Sequence, residues 1–304
     1  MFIGCKKNEN PVRYYTPQFE EGISGYVQLK YQYLSTTPIH TQTSMLTGYQ
    51  NKLYRFGSRW PVQVWDLMLN SWSQVPLPDS TYWRWDGSAV TVADSIYVFA
   101  SDPYISDDII IFQPKLSSYK HTKVNLPVYF AYPVYAIYKN KIVLVSTKYN
   151  NVYEYNMTTS QLTTTAINPF YDVDPWYYPT LAGVKNGSFF FVFGRPGYTG
   201  INKLLRLNLD NYVWDSFDLP TSLTNQQQYI GAAVGSDLIL MCDSTLAYQY
   251  SAMDNKWYKD TSGVPLFPRN LGGTLDQGEW NFFSTDSCLY GTDVYNDKLW
   301  KISK

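Results

Sequence analysis

Few residues in this chain carry the side chains of common catalysts. There are two histidines, His40 and His121, and three cysteines, Cys5, Cys242 and Cys288. Neither histidine has a plausible acidic or nucleophilic neighbour in the sequence, so the pattern does not indicate a Ser-His-Asp or Cys-His site. The cysteines lack the spacing of a metal or redox motif, and core packing is favoured over a Cys242–Cys288 pair. We therefore expect no metal site and no cofactor.

Two pairs of carboxylates deserve comparison as acid–base candidates. Asp107-Asp108 comes at the start of an apolar run, which favours a solvated strand end. Asp172 and Asp174 lie in a long aromatic segment between two apolar runs. Function concentrates in such loops, so only the second pair is kept as a candidate.

Aromatic residues accompany arginine, aspartate and glutamine in the segments between apolar runs. Such mixtures suit a pocket that stacks and hydrogen-bonds a ligand, and equally a protein interface. The alternative is that the rings pack in the core; we expect Arg84, Trp85 and Trp176 to be the most exposed. The candidate ligand-binding residues are Trp60, Trp83, Arg84, Trp85, Tyr132, Asp172, Asp174, Trp176, Tyr177, Arg195, Tyr198, Tyr229 and Arg269.

A repeated unit must position these segments. Its clearest copy, Ser188 to Pro220, has an apolar strand, a glycine-bearing loop, a second strand and a turn into a third. Asn/Asp/Gly pairs open the apolar strands, as at Asn51-Lys52 and Asn186-Gly187, and predict hairpin turns. The last such pair is Gly278-Glu279, before WNFFST.

Two further anchors repeat with the unit. A polar residue stands six positions before a large one, and its side chain is expected to bond to its own turn backbone. The clearest pairs are Asp66–Trp72, Asn208–Trp214 and Ser251–Trp257. A proline ends each unit at intervals of 40 to 51 residues: Pro38, Pro78, Pro127, Pro169, Pro220 and Pro265.

Units of this length with four short strands predict a six-bladed β-propeller, an all-β fold of antiparallel blades. We expect blades at about 45–78, 86–127, 133–169, 179–220, 229–265, and 271–304 completed by 24–38. A strand over Tyr26 to Tyr33 would close the ring and cover an edge. A β-sandwich is the alternative, but sandwiches do not repeat such a unit.

The apolar-FG strand, the spacing of Asp or Asn to Trp, and the closing Leu-Pro resemble kelch repeats of the galactose-oxidase-like propellers over residues 24–304. The usual double glycine is largely lost, as at Gly57-Ser58 and Gly194-Arg195. The resemblance implies copper chemistry only with paired histidines and tyrosines, and two isolated histidines do not provide it. A sialidase box is approached at Thr274–Trp280, but a structural turn is favoured there.

Residues 1–22 are predicted to form an N-terminal tether before a propeller over 23–304. Phe2-Ile3-Gly4-Cys5, followed by polar residues, resembles the end of a bacterial lipoprotein signal, with Cys5 as the lipidated residue. The apolar region that precedes such a cysteine is not in the sequence. The chain is thus expected to be exported and anchored in the cell envelope, or to be cytoplasmic where this short match is chance.

Composition limits the classes of partner that the protein is expected to bind. The net charge is −1, and no Lys/Arg cluster indicates nucleic acid. The sequence has no apolar run of about 18 residues, so no transmembrane segment is expected. We expect a monomeric, non-catalytic binding module for a saccharide or a partner protein. The alternatives are a metal-independent enzyme resembling sialic-acid mutarotases, which would use Arg84, Arg195, Arg269 and Asp172 or Asp174, and an intracellular kelch scaffold.

Overall fold

A computed structural model describes most of the chain outside its longer loops. The described residues are 13–15, 18–21, 30–39, 44–57, 61–76, 87–99, 108–124, 126, 133–146, 149–171, 181–194, 201–224, 229–241, 247–260, 280–293 and 298–303. The secondary structure within them is almost entirely β.

The strands follow in chain order. Three come from the N-terminal segment: β1 (Arg13–Tyr15), β2 (Gln18–Glu21) and β3 (Lys30–Thr36). Blades 1 to 3 are formed by β4 (Ser44–Tyr49), β5 (Lys52–Gly57), β6 (Val62–Asp66) and β7 (Ser71–Val75); β8 (Ser88–Val92), β9 (Ser95–Phe99), β10 (Asp108–Gln113) and β11 (Ser118–Lys123); and β12 (Val134–Tyr138), β13 (Lys141–Val145), β14 (Asn151–Asn156) and β15 (Gln161–Ile167).

Blades 4 to 6 follow in the same way. Their elements are β16 (Leu181–Asn186), β17 (Phe189–Gly194), β18 (Lys203–Asn208) and β19 (Trp214–Phe217); the short helix α1 (Thr221–Thr224); β20 (Ile230–Val234), β21 (Asp237–Met241), β22 (Ala247–Ser251) and β23 (Lys256–Asp260); and β24 (Trp280–Ser284), β25 (Cys288–Asp293) and β26 (Lys298–Ser303).

The six sheets close into a ring. In each blade the strands pair antiparallel in a meander, with β3 as the fourth strand of blade 6. The first strands β4, β8, β12, β16, β20 and β24 contact each other in that order, and β24 contacts β4 again. The chain is therefore a six-bladed β-propeller, and the strands of blades 1 to 5 fall at the sequence positions expected for them.

The closing strand β3 pairs antiparallel with β26, from Lys298↔Thr36 to Ser303↔Lys30. The N-terminal strand thus completes the last blade, as predicted, although it ends at Thr36 rather than Tyr33. Because the two ends of the chain lie in one sheet, opening the ring requires breaking this pairing.

Two strands of the N-terminal segment were not predicted. β1 adds in parallel to β19, the outer strand of blade 4, and β2 adds in parallel to β23, the outer strand of blade 5. Residues 13–21, assigned from sequence to the tether, therefore contribute fifth strands to two blades. The signal was weak because these strands are only three and four residues long.

The turn between the third and fourth strands has one geometry in blades 1 to 5. Asp66 Oδ1 accepts hydrogen bonds from the backbone N–H of Met68 and Leu69 at 2.9 and 3.0 Å, as the six-residue spacing predicted. Four residues after each anchor the backbone is left-handed, and two residues later the large side chain begins the outer strand. The left-handed residues are Asn70, Ser117, Ser160, Tyr212 and Asn255, with φ from 47° to 58°.

The turns between first and second strands differ slightly from expectation. Positive φ falls on Gln50, Ala93 and Lys139, each one residue before the Asn or Asp that signalled the turn. In blade 6 the strand assignment was wrong, because WNFFST forms the first strand β24 rather than the second. Its hairpin is closed by Thr285, whose backbone N–H donates to Cys288 O at 2.8 Å.

The core lies between blades. Apolar side chains of neighbouring sheets interdigitate, and the repeat tryptophans belong to these layers. Trp257 is fully buried, with its ring 5.1 Å from Tyr250 and 6.5 Å from Phe193 of blade 4. Close approach also depends on glycine, since a Cβ on Gly231 would lie 2.5 Å from the Cβ of Ala182 in blade 4.

Polar contacts link blades at the end of the ring where first and second strands are joined, which we call the hairpin face. Tyr49 of blade 1 donates to Asp94 of blade 2 at 2.7 Å, and Lys115 pairs with that carboxylate at 2.9 Å. Tyr138 and Lys139 of blade 3 bind Asp210 of blade 4 in the same way, at 2.7 and 2.9 Å.

Candidate functional site

The six first strands surround a central channel with a cavity of about 570 Å³. Small and apolar residues such as Ala89, Ala182 and Ala232 dominate its described lining. Each first strand is the end strand of its sheet, so one of its edges has no neighbouring strand in that sheet. Backbone N–H and C=O groups on these edges can therefore bind water or a polar ligand in the channel.

Few side chains in the described lining can exchange a proton. Burial raises the pKa of the Tyr135 phenol to about 12, so this group stays protonated and can donate a hydrogen bond at neutral pH. Thr91 Oγ1 lies 2.9 Å from Thr47 Oγ1, and Ser88 Oγ donates to Pro133 O at 2.5 Å. Lys185, at the end of β16, is the cation among the described lining residues.

The opposite end of the ring carries the connections between blades and between second and third strands, and we call it the loop face. Meander topology places both kinds of connection at one end, because adjacent strands alternate in direction. The predicted ligand-binding residues belong to these connections. The described part of the loop face shows how the scaffold holds the segments next to them.

Buried polar side chains fix the connection from blade 6 to blade 1. Arg55 Nη1 donates to Ile39 O at 2.9 Å and to Gln63 Oε1 at 3.1 Å, and Gln63 Nε2 donates to Ile39 O at 3.2 Å. Arg55 and Gln63 are each about 1% exposed. The segment that follows the closing strand β3 is thus anchored to the second and third strands of blade 1.

Buried asparagines do the same for blades 3 and 4. Asn168 Nδ2 donates to Ser146 O at 2.5 Å and to Tyr149 O at 2.8 Å, while its Oδ1 accepts from Phe170 N at 3.0 Å. Asn202 Nδ2 donates to Leu223 O in α1 at 2.9 Å. These contacts join the connections after blades 3 and 4 to the loop between the second and third strands of the same blade.

Most predicted site residues lie outside the described part of the chain, and their role as ligand contacts stays a prediction. Tyr229 is the member of the set within the described ranges. Its side chain is 3% exposed, and its ring packs 4.7 Å from that of Phe193 in an edge-to-face geometry. The remaining residues are Trp60, Trp83, Arg84, Trp85, Tyr132, Asp172, Asp174, Trp176, Tyr177, Arg195, Tyr198 and Arg269, and Cys5 also lies outside.

Exposed apolar side chains flank two of the predicted loops. Tyr171, next to Asp172, is 40% exposed, and Ile201, which follows the loop with Arg195 and Tyr198, is 55% exposed. Ile167, the last residue of β15, is 78% exposed. These residues belong to the connection after blade 3 and to the loop between the second and third strands of blade 4.

Sequence reasoning missed the residues that support the loop face. Arg55 interrupts an apolar run, and this was a usable signal, because a charge inside a buried strand must be paired. Asn168 precedes Pro169 and was obscured by that proline's role as a repeat anchor. Asn202 gave no signal beyond its residue type.

Three other observations bear on the kind of site. His121 lies exposed on β11, the outer strand of blade 2, as its polar neighbours predicted. Within the described ranges, no three His, Cys, Asp or Glu side chains come together as metal ligands do. In the same ranges, none of the helices has the length and apolar character needed to cross a membrane.

Comparison with known proteins identifies the fold. No protein-family model and no curated protein matched this chain. The structure is similar to that of YjhT, with a TM-score of 0.63 and 13% identity over 88% of this chain and 95% of that one. A structural genomics protein of unknown function from Bacteroides thetaiotaomicron VPI-5482 has a TM-score of 0.63 at 9% identity, covering 91% and 76%. An auxiliary nutrient binding protein from the same organism has a TM-score of 0.56 at 10% identity, also over 91% and 76%.

Proposed function

We propose that this propeller is a non-catalytic binding module that recognises a saccharide or a partner protein through its loop face. The observation that carries the proposal is the exposure of Ile167, Tyr171 and Ile201 beside the predicted loops. A contiguous exposed apolar patch marks a binding surface on a soluble protein, and the proposal is that these three side chains contribute to one.

The support beneath this surface agrees with a binding role. Asn168 and Asn202 fix the connections on either side of it through buried hydrogen bonds. A rigid surface binds with a smaller loss of conformational entropy than a mobile one. One structurally similar protein is described as an auxiliary nutrient binding protein, which is compatible with this proposal.

The finer parts of the proposal rest on sequence. The repeats are of a degenerate kelch type, the protein acts as an exported module, and Cys5 carries a lipid anchor in the cell envelope. A mutarotase-like enzyme would instead converge Arg84, Arg195 and Arg269 with Asp172 or Asp174 at the channel mouth. An intracellular kelch scaffold would carry no lipid anchor and would bind no saccharide.

The first experiment measures melting temperature against a panel of mono- and polysaccharides that includes sialic acid. A ligand held at about 100 times its dissociation constant stabilises the folded state by about 2.7 kcal/mol. We expect one ligand to raise the melting temperature of the wild type but not of the Arg84→Ala, Trp176→Ala or Ile201→Ser proteins.

Leu116→Ser on the hairpin face is the matched control, since Leu116 is 70% exposed and should leave the response unchanged. Equal loss in the control would contradict a loop-face site. If no sugar shifts the wild type, the protein-partner form is tested by pull-down with wild type, Ile201→Ser and Leu116→Ser. If the protein converted a bound sugar to its other anomer, the mutarotase-like enzyme would replace the binding module as the proposed function.

A further inference from the structure

The N-terminal segment contributes one strand to each of three successive blades, in chain order. β1 pairs with blade 4, β2 with blade 5, and β3 completes blade 6. β3 is an ordinary fourth strand, whereas β1 and β2 are additional strands on blades that already have four. We call residues 13–21, which contain both, the N-terminal strap.

The two acceptor strands, β19 and β23, pair with two parts of one continuous peptide. Arg13–Tyr15 pairs with Asp215–Phe217, and Gln18–Glu21 pairs with Lys256–Lys259. Residues 16 and 17 alone separate the two paired parts, and nine residues reach at most about 30 Å, so both edges lie within the reach of one short segment. Strand addition of this kind gains its affinity from main-chain hydrogen bonds along an exposed sheet edge.

The backbone register pairs residue types of opposite charge at the two ends of the strap. Arg13 is the partner of Asp215, and Glu21 is the partner of Lys259. The outer strand β11 of blade 2 instead carries exposed Lys120, His121 and Lys123, which would repel a segment that begins with arginine.

One acceptor strand is held in place from within its blade. Asp215 receives two hydrogen bonds from Arg206, from Nε at 3.0 Å and from Nη2 at 2.6 Å. The guanidinium lies over the Phe189 ring at 4.2 Å and within 5.2 Å of the Phe217 ring centre. The edge of β19 therefore has supports that do not involve the strap.

We propose that the outer edges of β19 and β23 form one acceptor site for an extended peptide, and that the strap is its ligand, bound in cis and replaceable by the same segment of a second copy. Only three and four residues pair at each edge. Such a short segment stays in place because its covalent link gives it a high effective concentration, which for a short flexible connection is in the millimolar range.

The test keeps the full chain until it has folded. A protease site is placed within residues 22–29, the folded protein is cleaved, and a fluorescent peptide of residues 13–21 is added. We expect the cleaved strap to leave on dilution and the peptide to bind saturably, while uncleaved protein does not take it up. A peptide with both Tyr14→Pro and Phe19→Pro lacks two backbone N–H donors and disfavours strand pairing, so it should bind at least about tenfold more weakly.

Amide hydrogen exchange provides the second readout. Protection of β19 and β23 should fall when the strap leaves and return with the peptide, with β11 unchanged as the internal control. The same fall is expected in uncleaved full-length protein with Phe19→Pro, over β23. Failure of the peptide to bind cleaved protein, a cleaved strap that never exchanges, or unchanged protection of both strands would each overturn the proposal.

Discussion

At the level of single residues, the buried polar side chains of this propeller hold the connections between blades. Arg55 and Gln63 bind one backbone carbonyl, and Asn168 binds two. Tyr212 is held in a left-handed conformation while its hydroxyl donates to Glu154 of blade 3, which also pairs with Lys141 at 2.9 Å. Such conformations persist only where the surroundings enforce them.

Removing the Asn168 amide should destabilise the protein. Asn168→Ala leaves Ser146 O, Tyr149 O and Phe170 N without these hydrogen bonds. Unsatisfied buried groups cost about 1–3 kcal/mol, so the free energy of unfolding should fall by about that amount. Urea denaturation measures it, with Asn150→Ala as the control on an exposed asparagine. Equal stability of the two variants would contradict a structural role for Asn168.

The hairpin-face links predict a dependence of stability on pH. A tyrosine hydroxyl and a lysine hold the pKa of Asp94 and of Asp210 below the usual value. A lowered folded-state pKa gives stability that is present above the unfolded pKa, near 3.9, and is lost as the pH falls through the folded pKa. The wild type should therefore melt above the Asp94→Asn, Asp210→Asn protein at pH 7, and the gap should narrow as the pH falls below the unfolded pKa. A gap that does not narrow in acid would exclude these carboxylates as its source.

The sequence predicted the roles of some of these polar residues and not of others. Asp66 and Asn208 were identified because their spacing to a tryptophan repeats along the chain. Asn168 and Tyr212 act through contacts with other blades or loops, and no local pattern encodes such contacts. Tyr229 is the opposite case. Its neighbours in sequence resemble a binding loop and made it a candidate, while its ring packs against Phe193, a contact that local sequence does not reveal.

At the level of elements, the unit is a four-stranded meander whose last turn has a fixed order: polar anchor, left-handed residue, then large side chain. That order made the blades predictable, because each step has a local cause in turn geometry. Blade 6 lacks this turn, because its third strand β26 and its fourth strand β3 are far apart in the sequence. With no such turn between β26 and β3, the pattern offered no anchor, and β24 was assigned to the wrong position.

Packing of neighbouring first strands gives a prediction at this scale. Gly231→Val places a branched side chain where the Cβ alone would lie 2.5 Å from Ala182 Cβ and 3.1 Å from Leu240 Cδ2. Overpacking of this kind costs about 1–3 kcal/mol. Thermal melting should show the loss, while Ala233→Val, on the same strand and half-buried, should cost less. A variant as stable as the wild type would show that blades 4 and 5 can separate without penalty.

At the level of the whole molecule, the repeat accounts for the fold but not for the proposed recognition. The blades pack through apolar layers that include buried tryptophan and phenylalanine side chains. This is why the fold could be predicted from the sequence while the ligand could not. The repeat anchors report on turns and packing, whereas a ligand is chosen by loop side chains whose composition fits several partners.

The order of synthesis gives the N-terminal strands an unusual task. Arg13 pairs with Asp215, about 200 residues later in the chain, and Lys30 pairs with Ser303. At translation rates of about 5–20 residues per second, the strap waits about 10–40 s for its first acceptor strand, and β3 waits longer. This segment is made before the blades that it joins and is among the last to find its place. Until then it is an unpaired strand-forming peptide attached to a growing chain, open to any edge that reaches it before blade 4 does.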